Sequence, residues 1–165
     1  MADNRMVTRP EWASFMNTGT ADSPVWSRIG EGFTSLEQSM SAIEYARHYV
    51  HEKTERKDVT GYAPSISYSC DVYSGDPVIL RICEVHDKEL VGSDAHVEIL
   101  NVNMYEAAES GTGFVAYKRA WSVIPDTKGS GVDALILTGT FSATGDSVVG
   151  SYNAETKTFT PDVQG

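Results

Sequence analysis

The chain has 165 residues, a formal net charge of −10, and 13 Lys and Arg against 23 Asp and Glu. That length supports one domain with a real core, and the charge argues against binding nucleic acid or anionic membranes by neutralising phosphate. No apolar run approaches the ~20 residues needed to cross a bilayer, and the start, Met-Ala-Asp-Asn-Arg, lacks the apolar centre of a secretory signal, so synthesis and folding in a cytosol are expected.

Residues 1–22 are polar and mixed, with few periodic apolar positions, and read as an N-terminal arm; Trp12 and Phe15 suggest that part of it docks. Val25 to Leu36 alternates and is interrupted by Gly30 and Gly32, the pattern of a strand with a bend or bulge. Ser41 to Lys53 is ambiguous. Ser41 and Glu44 fit a capping box and Ile43, Ala46 and Val50 a helix, whereas Ile43, Tyr45, Arg47 and Tyr49 would share one face of a strand. Glu52 to Asp58 is almost wholly charged and reads as a solvated loop or tip.

The stretch 61–96 organises the rest. Ile66, Tyr68, Cys70 and Val72 alternate with Ser65, Ser67, Ser69 and Asp71, so a strand with one buried and one wet face is predicted. Ser74-Gly75-Asp76-Pro77 then starts a helix, with Asp76 as N-cap and Pro77 in the first turn. From about 77 to 90, Ile79, Ile82, Cys83, His86 and Leu90 form an apolar stripe opposite Arg81, Glu84, Asp87 and Lys88; Ile79, Ile82, Cys83 and Leu90 are expected to pack on a sheet. Cys70 and Cys83 both fall on buried faces and read as reduced core thiols.

Strands follow at 95–105, where the inward phase slips from Val97 and Ile99 to Leu100, Val102 and Met104, the mark of a bulge or of a strand buried on both faces, and at 114–124, 132–141 and 147–152. A loop at 106–113 and a turn at 126–131 separate them, and a possible edge strand lies within 153–165 before a frayed end. Many short strands with a single helix give a mostly β, α+β fold: an antiparallel β-sandwich or barrel with one flanking helix.

Chemical motifs are sparse. His48 and His51 are three apart, but no Cys or carboxylate cluster completes a metal site. Gly30-x-Gly32 resembles the start of a dinucleotide fingerprint, yet Ser35 stands where the third glycine belongs and no βαβ unit follows. His86 reads as a core histidine, and Trp26, Trp121 and the tyrosines could line a sugar-binding face, although core and interface packing is their commoner use. No convergent catalytic set can be assembled, so no enzyme activity, metal or cofactor is expected.

Several blocks in fixed order carry a family resemblance: Trp26-Ser-Arg-Ile-Gly-Glu-Gly-Phe33, His51-Glu-Lys53, Val59-Thr-Gly-Tyr-Ala-Pro-Ser65, Ser74-Gly-Asp-Pro77, Val91-Gly-Ser-Asp-Ala95 and Leu137-Thr-Gly-Thr140. Together, over residues 25 to about 152, the chain resembles major tail tube proteins of long-tailed, non-contractile phages. The resemblance implies a single tail-tube domain in which residues 41–62 form a long β-hairpin, not a helix. It implies homohexameric rings stacked into a tube, through which DNA leaves the capsid without specific binding. It further implies tape measure, tail terminator and distal tail proteins as partners, no membrane, assembly in the bacterial host cytoplasm, and residence in the virion. Some relatives carry a further immunoglobulin-like domain, for which this chain ends too early. The inner tube of a contractile injection system or bacteriocin shares the fold and is the alternative; a carbohydrate-binding β-sandwich is an alternative of another class. On the tube reading, wet-face strand residues line a net acidic lumen. The hairpin tip, Glu52, Lys53, Glu55, Arg56, Lys57 and Asp58, makes inter-ring contacts, mobile in a free subunit and ordered between rings.

Overall fold

A computed structural model describes residues 4–109 and 113–162. It is mostly β, with one α-helix beside a curled antiparallel sheet. The strands are β1 (Trp12–Asn17), β2 (Trp26–Arg28), β3 (Phe33–Ser39), β4 (Ala42–Arg47), β5 (Arg56–Tyr62), β6 (Ser65–Asp71), β7 (His96–Ala107), β8 (Phe114–Ser130), β9 (Ile136–Ala143), β10 (Val148–Asn153) and β11 (Thr158–Pro161); the helix α1 is Pro77–Asp87. Nine strands make one sheet in the order β2-β1-β7-β8-β9-β6-β3, with β10 and β11 paired beside the first half of β8. β4 and β5 pair only with each other.

The sheet curls until β7 and β3 meet. Asn101 of β7 donates to Gln38 of β3 at 3.1 Å and accepts from Ser14 at 2.7 Å, although three strands separate β7 from β3. The face so enclosed holds the larger core, where Ile66, Tyr68, Cys70, Ile99, Trp121, Phe141 and Leu137 meet Val78, Ile79, Ile82 and Val85 of the helix. On the other face, Phe15 and Tyr152 touch at 4.7 Å between ring centroids, and a smaller core of Ala13, Leu100, Val102 and Ala116 gathers around them. β1 and β7 lie between the two cores, and both are buried on both faces.

That position accounts for two features of the sequence. Residues 1–22 do not form an arm throughout: Ala13 to Met16 are all buried, so β1 shows no period of two. The phase slip at 97–104 marks a strand buried on both faces and not a bulge, since the β7–β8 register runs unbroken from His96 to Asn103.

Other boundaries move for local reasons. Residues 25–36 are two strands, not one bent strand. Gly32, at φ +84, turns the chain between them, and a Cβ there would stand 2.7 Å from the Asp71 carbonyl. The expected turn at 126–131 is the end of β8, whose pairing with β9 continues through irregularities around Pro125 and Lys128. The next strand starts at Ile136, not Val132, and β11 pairs with β10. Residues 110–112 of the expected loop and the end at 163–165 lie outside the described residues.

The Asp76 carboxylate accepts from the Val78 and Ile79 amides, so the helix begins as its cap residues dictate. Ile79 and Ile82 are fully buried, and Cys83 and Leu90 are partly buried against the same core. Val78 and Val85 are core positions that the stripe at Ile79, Ile82, Cys83, His86 and Leu90 omitted. His86 is not a core histidine; its ring is 33% exposed and its Nδ1 lies 2.9 Å from Asp87. Lys128 reaches from β8 to Asp87 at 2.8 Å, which ties down the helix end and holds that carboxyl below its ordinary range.

Candidate functional site

The part of the molecule least accounted for by its own core is the β4–β5 hairpin. It prolongs the β3–β6 pair: Ser39 faces Ser65, and three rows further on Ala42 faces Tyr62. The ribbon breaks at Ser41, which adopts φ +31 and therefore cannot cap a helix. At 3.2–3.4 Å per residue, six residues carry each strand roughly 20 Å beyond the body. The capping-box signal at Ser41 and Glu44 gives way to cross-strand pairing.

Every residue of β4 is exposed, as is every residue of β5 except Gly61. The exposed side chains include Ile43 and Tyr45 on one face and Val59 and Tyr62 on the other. A two-stranded ribbon is marginal in water even with one face covered. This one bares apolar side chains on both faces, which is the signature of a surface that another molecule covers.

The turn of the hairpin spans 48–55, so Arg56, Lys57 and Asp58 belong to β5 and not to the tip. The tip carries contacts of its own. The Glu52 carboxylate accepts from Arg56 at 2.6 and 2.9 Å, and the Glu52 carbonyl lies 2.7 Å from His48 Nε2. The Arg56 guanidinium sits 5.9 Å from the Tyr49 ring, and Tyr49 stacks with His51. Glu52 and Arg56 thus neutralise each other within one subunit. Lys53, Glu55, Lys57 and Asp58 remain exposed, and Val50, fully exposed, is the outermost apolar side chain.

A second surface lies on the outward face of β3, β6, β9 and β8. Register places Ser39, Ser65, Ser142 and Ser122 in one row, Glu37, Ser67, Thr140 and Ile124 in the next, and Ser35, Ser69 and Thr138 in a third. None of these side chains is buried, whereas the residues alternating with them in β6 and β9 are core. These rows contain nine hydroxyls, one carboxylate and no Lys or Arg. Serine is a poor strand former, and an ordinary solvent-facing sheet carries interspersed charges of both signs. Neither strand stability nor solubility accounts for this composition.

The sheet also ends in open strands, β3 at one side and the three-residue β2 at the other. Unpaired edges of this kind are templates for a further chain.

The remaining candidates from the sequence have local explanations. His48 and His51 both contact Glu52, and among the described residues no three His, Cys, Asp or Glu side chains gather as a metal site. Trp26 and Trp121 are 7% and 1% exposed and belong to the two cores, so they cannot present rings to a sugar. Both thiols are unpaired; burial pushes Cys70 up to about 11 and raises Cys83, which keeps them protonated.

No family model matches the chain, and no curated protein matches it. Solved structures do. A chain from the tail of an empty GTA particle with C6 symmetry superposes with TM-score 0.59 at 12% identity, over 86% of this chain and 97% of that one. The chain shares its fold with subunits of tail and tube assemblies. A chain of the PVC sheath-tube complex, from an extracellular contractile injection system in the extended state, gives TM-score 0.53 at 10% identity over 91% and 95%. A chain of the anti-feeding prophage tube terminating cap gives 0.50 at 17% over 92% and 95%. These neighbours include contractile systems, so the likeness does not single out the non-contractile type that the sequence blocks resemble.

Proposed function

We propose that this protein is a structural tube subunit, with no catalytic role, that assembles with copies of itself into stacked hexameric rings. The observation that carries the reading is the β4–β5 hairpin, apolar on both exposed faces and reaching roughly 20 Å beyond the body. In a ring or between rings, neighbouring subunits cover both faces. The tip then meets the next ring through Val50 and the exposed charges of Lys53 and Glu55, with Glu52 and Arg56 holding its shape. The open edges of β3 and β2 join sheets of adjacent subunits into a continuous barrel. The likeness to tail and tube chains supports this reading.

The hydroxyl rows face the lumen. Neutral hydroxyls with a single carboxylate offer a polyanion no cation to neutralise, so DNA slides past without adsorbing. Like-charge repulsion from that acid acts only within about 8 Å at physiological salt. The lumen is thus polar first and acidic second. Conduction of DNA in a non-contractile phage tail is the preferred setting, because the sequence blocks point there. The inner tube of a contractile system is the second reading, favoured by the likeness to the PVC sheath-tube complex.

Excision of residues 42–62, with a short Gly-Ser turn in their place, tests the reading. The subunit is expected to unfold at nearly the same temperature and to lose assembly. Tubes of normal length from the excised protein would remove the hairpin's role.

A further inference from the structure

The open end of the curled sheet leaves a cavity of about 500 Å³ whose lining includes Trp12, Met40, Tyr117, Arg119 and Trp121. Two donors at this mouth lack acceptors: Arg119 Nε and Trp121 Nε1 are buried with no hydrogen-bond partner among the described residues. Arg119 also joins none of the ion pairs there. A buried donor left unmatched costs its full desolvation, and an ionised carboxylate, which only accepts, is the group that answers it. The guanidinium fork matches a carboxylate with two parallel hydrogen bonds. The rest of the lining mixes the polar Gln38, Asn101, Asn103 and Ser147 with apolar groups, and it is partly open, with Met40 43% and Tyr117 37% exposed.

The complementary shape lies on the same chain but out of its own reach. In the turn between β8 and β9, Val132 is 98% exposed and Asp133 is exposed beside it. Arg119 and Gly131 are 12 positions apart, almost all of them along β8, which places mouth and turn roughly 40 Å apart. A subunit therefore cannot fill its own mouth.

We infer that the Arg119 mouth of one subunit receives the Val132–Asp133 turn of a second copy of this chain, the carboxylate on the guanidinium and the valine against the aromatic rim. The inference rests on the self-assembling reading above and adds a specific contact to it. Two different patches of one chain meet, so the contact is heterologous and propagates into a ring or a filament. The hairpin tip, with Val50 exposed beside Glu52, is less suited, because Arg56 already holds Glu52.

Charge exchange in the full chain tests the contact, with assembly read by sedimentation velocity and electron microscopy. Asp133→Arg is expected to raise the concentration needed for assembly by roughly 30-fold or more, the usual consequence of opposing a docked charge. Because Asp133 is exposed, that variant keeps its thermal unfolding. Arg119→Asp has the same effect on assembly, and the double variant Arg119→Asp with Asp133→Arg returns to within a few-fold of wild type. Normal assembly of Asp133→Arg, or loss with Arg119→Asp that the double variant does not repair, overturns this contact and leaves the tube reading standing. A wild-type chain that does not self-associate at any concentration overturns both.

Discussion

Two isoleucines, Ile82 and Ile43, separate what holds one subunit together from what holds subunits to each other. Ile82 is 0% exposed between the helix and the sheet. Truncation to alanine removes three carbons from a packed site and leaves a cavity, so it should cost about 2–5 kcal/mol. At about 2–4 °C per kcal/mol for a chain of this size, the melting temperature falls by roughly 4–20 °C. Ile43 is 52% exposed on the hairpin, and Ile43→Ala should change subunit stability by no more than about 0.5 kcal/mol, as at other open sites. On the tube reading, assembly covers the open half of Ile43. Half of a full burial of about 1.5–3 kcal/mol is about 1 kcal/mol per copy, and every subunit of a ring repeats it. Scanning calorimetry of the dilute protein and sedimentation of the concentrated protein read the two effects separately. If Ile43→Ala lowers the melting temperature as much as Ile82→Ala does, the hairpin packs on its own subunit and the covering argument fails. If Ile82→Ala melts like wild type, the helix stripe faces solvent.

Gly139→Ala should destabilise the subunit by about 1–3 kcal/mol, because a Cβ there would lie 2.4 Å from Tyr68 Oη and 2.6 Å from the Ile124 carbonyl; chemical denaturation at wild-type stability would contradict the packing. Glu11 offers a pH test. Its hydrogen bond from Arg5 and that from the Thr8 amide hold its carboxyl at about 2, against an ordinary 4.5. A lowered carboxyl contributes stability above 4.5 that is lost as the pH falls toward 2. The Thr8–Glu11 turn should therefore loosen across that window in wild type, and Glu11→Gln should abolish the pH dependence, as followed by amide exchange. Thr140→Lys places a cation in the hydroxyl rows; tubes carrying it should retain DNA that wild-type tubes release, and equal release would move the lumen to another face.

The one-sided elements were legible in the sequence. Ile66, Tyr68 and Cys70 alternate with serines because β6 has one core beneath it and nothing above. Asp76 and Pro77 announce the helix because capping is local chemistry. β1 and β7 were harder, since a strand between two cores loses its period. His86 took the core slot that belongs to Val85, because spacing alone does not say which neighbour of a stripe is tucked in. Periodicity leaves the first strand of the hairpin ambiguous between helix and strand, the resemblance implies the hairpin, and the β4–β5 pairing is where it appears. For the assembly surface, the wet face of β6 was visible as a row of serines, but its continuation through β3 and β9 depends on register. Arg119 gave no signal at all: a lone arginine in a strand stands out only when its burial without a partner is known.

The most direct test of the central claim is cryo-electron microscopy of the concentrated wild-type protein. The account predicts rings or tubes in which Ser67, Ser69, Thr138 and Thr140 face the lumen and the 42–62 hairpin lies covered between subunits. A monodisperse monomer at every concentration, or a tube with these hydroxyls on its outer wall and a basic lumen, would contradict it.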